Sequence, residues 1–173
     1  DPVNCSLIAG NLGGIVLGDL SLSHTVVEDN AANANLLVLQ TDTSITFDAV
    51  LFARNIVNGG GFGGTLLHFN GNCLHVTRTT FVDNLAAGQY LVWLACGDCY
   101  PAPQTLAVEN TLVAESFGEI LAPAFVPANY AISFDCVILP EVASIPPSAI
   151  LTRFTGAANP ALHFVDRPAG DFH

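Results

Sequence analysis

Apolar residues recur along this chain in one spaced pattern: apolar, x, apolar, x, x, small or apolar, x, apolar, x, x, Asn-like. The first copy is Leu20, Leu22, Thr25, Val27, Asn30, and the second is Ile45, Phe47, Val50, Phe52, Asn55. The third is Leu74, Val76, Thr79, Phe81, Asn84. A fourth, Leu106, Val108, Thr111, Val113, Ser116, puts Ser for Asn, and a fifth, Ile132, Phe134, Val137, Leu139, Val142, keeps the apolar positions alone. Positions two apart share one face of a strand, and the three-residue step marks a bend into a second short strand. A third strand is expected before each next copy, at Leu36–Leu39, Thr65–Phe69, Tyr90–Leu94, Glu119–Leu121 and Ala149–Thr152. Helices fit poorly, because the apolar spacing is two rather than three and four, and Asn and Gly punctuate every segment.

The copies start at 20, 45, 74, 106 and 132, so the repeat length varies between 25 and 32 residues while the patterned dozen positions keep their spacing. Fixed strands with variable connections describe a solenoid, in which each coil buries its inward side chains against its neighbours. The expected fold is therefore all-β: a right-handed parallel β-helix with three strands per coil and about five coils, a prism on the order of 24 Å long. One domain covers 1–173, with an N-terminal coil or cap at 1–19, repeat coils at 20–142, and a C-terminal coil and tail at 143–173. Stacking places Asn30, Asn55 and Asn84 at one turn, where their amides form a structural ladder.

Chain segments carrying this repeat, Phe52-Ala53-Arg54-Asn55 and Phe81-Val82-Asp83-Asn84, together with the tail Asn159-Pro160-Ala161-Leu162-His163-Phe164-Val165-Asp166 and Gly170-Asp171-Phe172-His173, resemble secreted bacterial right-handed β-helix proteins of the choice-of-anchor and polymorphic outer-membrane type. The resemblance covers most of 15–173 and implies a surface or secreted protein, among adhesins, passenger domains and carbohydrate-active proteins. Two departures stand out. The family's Gly-Gly before the third strand is kept only at Gly63-Gly64, and no anchor sequence follows His173. The opening Asp1-Pro2-Val3-Asn4, without Met or leader, reads as a processed or excised segment.

Composition narrows the partners. Lysine is absent, and four Arg face fifteen Asp plus Glu for a formal charge of −11, so the chain lacks the cations that displace counterions from nucleic acid. Charged residues are 11% of the whole and hydrophobic ones 51%, a balance that leaves apolar side chains on the outside and suits an extracellular location better than a free cytoplasmic monomer. No apolar run reaches the length of a membrane-spanning helix.

Outward columns follow from the same register. Nine positions after each start come Asp29, Arg54, Asp83, Glu115 and Glu141, a surface ion ladder in which Arg54 has an acid on either side. Three after each start come Ser23, Asp48, Thr77, Glu109 and Asp135, so Glu109 and Asp135 fall on adjacent coils roughly 5 Å apart, with Arg78 as the only nearby cation. That trio is the one constellation with the spacing of a retaining glycosidase or of a lyase for acidic polysaccharides. The five His occupy different columns, and the Gly-rich run at 59–64 lacks the Lys of a phosphate loop, so no metal or cofactor is expected. Five Cys allow two bridges and leave one thiol over; Cys96 and Cys99 are the one close pair, suited to a small loop disulfide.

Six after each start, Val26, Leu51, Thr80, Leu112 and Ile138 point outward yet are mostly apolar, and the third strands are apolar on both faces, Trp93 among them. Such a strip needs cover, either from loops such as 96–104 and 140–147 or from another chain. The expectation is a non-catalytic structural or adhesive β-helix that self-associates, into fibres if its open ends stack. A carbohydrate-binding or carbohydrate-cleaving β-helix, with a glycan or surface protein as partner, and an excised passenger of a larger surface protein are the alternatives.

Overall fold

The computed structural model describes residues 3–4, 7–11, 15–17, 21–59, 64–94, 104–114, 117–119, 130–140, 150–152 and 155–157. Every element among them is a β-strand, and every strand pair is parallel. The result is a curled, solenoid-like parallel sheet. Its register is that of the repeat: Val3, Leu22, Phe47, Val76, Val108, Phe134 and Leu151 lie one above another. A second stack runs through Leu7, Val26, Leu51, Thr80, Leu112, Ile138 and Thr155. The stack thus extends past the five copies on both sides, to Val3 and Leu7 and to Leu151 and Thr155.

Inward positions do what the spacing demands. Ile45, Phe47, Phe52, Leu74 and Phe134 are fully buried, and Val76, Phe81, Leu106, Val108, Val113 and Ile132 nearly so. The expected third strand is present at Leu37–Leu39, Leu67–Phe69 and Val92–Leu94, in register with Ile15–Leu17, whereas Ile150–Thr152, expected as another, pairs with Ser133–Asp135 as a first strand, and Glu119 belongs to a strand of the smaller sheet. The third strand does not stand apart, however. In Leu37–Asp48 and Leu67–Thr77 it runs straight into the first strand of the next repeat, with only a register shift between Gly71 and Cys73. A separate third direction comes instead from short strands after each Asn, Ala31–Ala32, Ile56–Val57 and Leu85–Tyr90, which pair in a sheet of their own with Phe117–Glu119. Two paired residues carry too little alternation to be seen in the sequence.

Each bend is made by one residue in the left-handed region. His24, Ala49, Arg78, Asn110 and Cys136 occupy the first bend with φ between 48° and 55°, and Asp29, Arg54 and Asp83 the second with φ of 53° to 54°. Their amides still bond to the next coil, as in Ala49 N to Thr77 O at 3.1 Å and Arg54 N to Val82 O at 3.2 Å, so the ladder is not interrupted at the corners. Left-handed φ costs an L-residue about 1 kcal/mol and far more when Cβ is branched. Among the described residues no left-handed bend position holds Val, Ile or Thr. Ala49→Val should lower the free energy of unfolding by about 1–2 kcal/mol in urea titrations, whereas Ala49→Asn, matching Asn110, should be neutral or slightly stabilising.

Gly64 closes the insertion that follows Ile56–Val57. Its φ is +93°, and a Cβ there would lie 1.9 Å from Gly59 O, so only glycine fits.

Candidate functional site

Where the polar residues point decides what the surface can do. Most of those at the corners face inward or along the stack. Asn30, Asn55 and Asn84 are buried, and each amide joins the next: Asn30 Nδ2 donates to Asn55 Oδ1 at 2.9 Å and Asn55 Nδ2 to Asn84 Oδ1 at 2.9 Å. The same oxygens accept the backbone N–H of Asn30 and of Asn55 at 3.2 Å, and the second amide protons reach Ile8 O, Val27 O and Phe52 O. Asn11 adds a rung, donating from Nδ2 to Asn30 Oδ1 at 2.8 Å. Its signal lay in the spacing Val3, Ile8, Asn11, the same as Leu22, Val27, Asn30.

Thr25, Thr79 and Thr111 sit just past the first bend, buried, and donate their hydroxyls to Ser23 O, Thr77 O and Glu109 O at 2.9–3.0 Å. Each clamps the left-handed residue between donor and acceptor, and this satisfies an otherwise costly buried hydroxyl. The recurrence of Thr at that position was the sequence signal.

Both described arginines reach back to the preceding coil. Arg54 forks onto Asp29 through Nε and Nη2, each at 2.8 Å, and Nη2 also meets Glu28 at 2.7 Å. This bond holds the Asp29 carboxyl below its usual range and raises Arg54 above its own. With Arg54 a third exposed and Asp29 half exposed, the pair contributes at most about 1 kcal/mol. Arg78 forks onto Asp48 through Nε at 2.8 Å and through Nη2, and this bond lowers the Asp48 pKa. The cation expected beside Glu109 and Asp135 is therefore turned the other way, onto a carboxylate two coils from Glu109 and three from Asp135.

Glu109 and Asp135 are themselves register partners on adjacent strands, Glu109 exposed and Asp135 half-buried. Glu109 lines a shallow groove of about 360 Å³ on the outer face of the first strands, with Ser44, Thr46, His75, Val76, Thr77 and Ala107. Its floor spans three consecutive strands, since His75 pairs with Thr46 on one side and Ala107 on the other. Residues from three coils meet there, which no single copy of the repeat displays.

The apolar outer column is closer packed than its composition suggests. Val26, Leu51, Thr80, Leu112 and Ile138 are half-buried, and Leu51 and Leu112 pack against Ala53, Val82 and Ala114, a second small buried cluster outside the main core. Among the described residues the most open large apolar side chains are Leu7 at 65%, Ile56 at 43% and Leu85 at 37%. Ile56 and Leu85 are register partners, a column that the sequence pattern, ending on Asn, did not include. Trp93 stands on the third-strand stack opposite His68. His68 is half-buried, and burial lowers its pKa. Asn35 Nδ2 donates to His68 Nδ1 at 3.2 Å while Asn35 Oδ1 accepts from Thr65 N and Oγ1, which orients the amide.

Cys73 and Cys136 are free thiols, half-buried and exposed respectively. Cys96 and Cys99, with Glu115, Ser116, Glu141, Val142, His163 and His173, lie outside the described residues. Among the described residues no three of His, Cys, Asp and Glu converge on a metal position, and no helix is long and apolar enough to cross a membrane. Comparison with protein-family models, curated proteins and solved structures finds no match to this chain.

Proposed function

We propose that the chain is a right-handed parallel β-helix of about five full coils that works outside the cell or at its surface as a non-catalytic structural or adhesive element, and that copies of it associate. The observation that carries this is the exposed register pair Ile56 and Leu85 in the smaller sheet, with exposed Leu7 heading the half-buried column Val26, Leu51, Leu112 and Ile138 in the larger one. Apolar side chains exposed on a parallel sheet are suited to burial against another sheet. The polar chemistry of the corners supports the same view. Asn, Thr and Arg side chains there are engaged between or within coils, where they add stability. Such a stack is well suited to bearing load along its length, because each coil is bonded to the next at every corner.

Light scattering and electron microscopy of the purified chain test this directly. Oligomers or filaments are expected, and Ile56→Glu with Leu85→Glu should shift them to monomer while the circular dichroism stays that of a β-protein. A wild-type chain that remains monomeric at high concentration would overturn the proposal.

A further inference from the structure

The geometry points to the groove over Ser44, Thr46, His75, Thr77 and Glu109 as a binding site for an amino sugar, an oligosaccharide whose free amine carries positive charge. This goes beyond self-association and does not depend on it. The corner Asn, Thr and Arg side chains bond to their own or a neighbouring coil, and so do Asp29 and Asp48. In the groove the arrangement reverses: three hydroxyls, one imidazole and one carboxylate face a common space of about 360 Å³. That volume is of the size that accommodates a small ligand, and hydroxyl, imidazole and carboxylate groups are the donors and acceptors that hydroxylated ligands use.

Charge decides which sugar. Glu109 is in the groove and Asp135 is its neighbour on the next strand, the nearest arginine among the described residues is forked onto Asp48, and the whole chain carries −11. An acidic polysaccharide would meet repulsion with no cation released to offset it. An ammonium group would instead meet the exposed Glu109 carboxylate in a charge-assisted hydrogen bond, with the sugar hydroxyls falling to Thr46, Thr77 and His75. Ala107, between Ser133 and His75 in register, leaves the floor low where a ring would lie. The stack repeats at about 4.8 Å, close to a sugar ring's own length, so an oligomer would lie along the stack rather than across it.

Calorimetry with a short β-1,4-linked glucosamine oligomer, its N-acetylated counterpart and an oligogalacturonate, at about pH 6 where the amine is protonated, tests the assignment. The glucosamine oligomer alone should bind, and Glu109→Gln should weaken it about tenfold. Glu109 is exposed, so the Gln variant should keep the melting curve of the parent. Binding that is unchanged in Glu109→Gln would mean a diffuse pull by net charge and would overturn the site. Tighter binding of the N-acetylated or acidic oligomer, or no binding of any of the three, would overturn it as well.

Discussion

Asn55→Ala should lower the free energy of unfolding by about 3–4 kcal/mol, among the largest effects of any polar substitution in this chain. Asn55 is fully buried and makes four bonds through its side chain: it accepts from Asn30 N and Asn30 Nδ2, and donates to Val27 O and Asn84 Oδ1. Truncation leaves the Asn30 backbone N–H and the Val27 carbonyl without these partners in a place water does not reach, and each such loss costs about 1–3 kcal/mol. Asn30 Nδ2 and Asn84 Oδ1 each retain a second bond, to Ile8 O and from Asn55 N, which keeps the total below the sum of four. Asn11→Ala offers the comparison. Asn11 performs the same job at an exposed position, where water replaces the lost partner, and its loss should cost less than about 1 kcal/mol.

Asn55→Asp separates hydrogen bonding from shape. The carboxylate keeps the accepting oxygen but turns a second oxygen toward Val27 O and Asn84 Oδ1, where a donor stood. At neutral pH the destabilisation should match that of Ala. It should shrink at about pH 4, because a buried carboxyl surrounded by acceptors takes up a proton more readily than it does unfolded, and the protonated group donates again. Urea titrations at the two pH values check both the size and the sign.

How far the fold could be read from the residues depended on what each position asks of its side chain. Inward sites demand apolar bulk, so Phe47, Phe52, Val76 and Phe81 announce themselves by spacing, and Asn30, Asn55 and Asn84 by an amide recurring at one position of the first three copies. The bends demand only a backbone angle. His24, Ala49, Arg78, Asn110 and Cys136 share nothing but an unbranched Cβ, and no pattern of polarity picks them out. The outermost tiers were obscured for a similar reason: Gly156 stands in the column where the other tiers carry Ile, Val, Phe or Leu. Surface chemistry was the least legible. Arg78 sits one residue beyond Thr77 in the acidic column, and sequence alone could not say that its side chain would turn back to Asp48 rather than forward to Glu109. The groove lies across three coils and takes two or three residues from each, so it became visible only with the register in place.

Phe52→Ala should cost about 4–5 kcal/mol, more than removal of any other single ring. Phe52 is fully buried, its ring lies 4.9 Å from that of Phe81 at an interplanar angle of 3°, and Phe47 meets it at 5.7 Å and 57°. Deleting it loses the transfer energy of the ring and leaves a cavity that stacked coils, each pinned by hydrogen bonds to both neighbours, cannot collapse to fill. Phe134→Ala, equally buried, lacks a comparable stacked partner among the described rings and should cost about 3–4 kcal/mol. Phe52→Leu and Phe81→Leu, alone and together, give a double-mutant cycle whose coupling should be about 0.5–1.5 kcal/mol. Position in the stack adds a second signature. Because each coil is stabilised only through its neighbours, a defect at Phe52 weakens the middle of the array, so the coils on either side should begin to unfold independently. Urea unfolding of Phe52→Ala should therefore show a broadened transition with a smaller slope than the parent, whereas Ile56→Glu on the outer face should leave the slope unchanged.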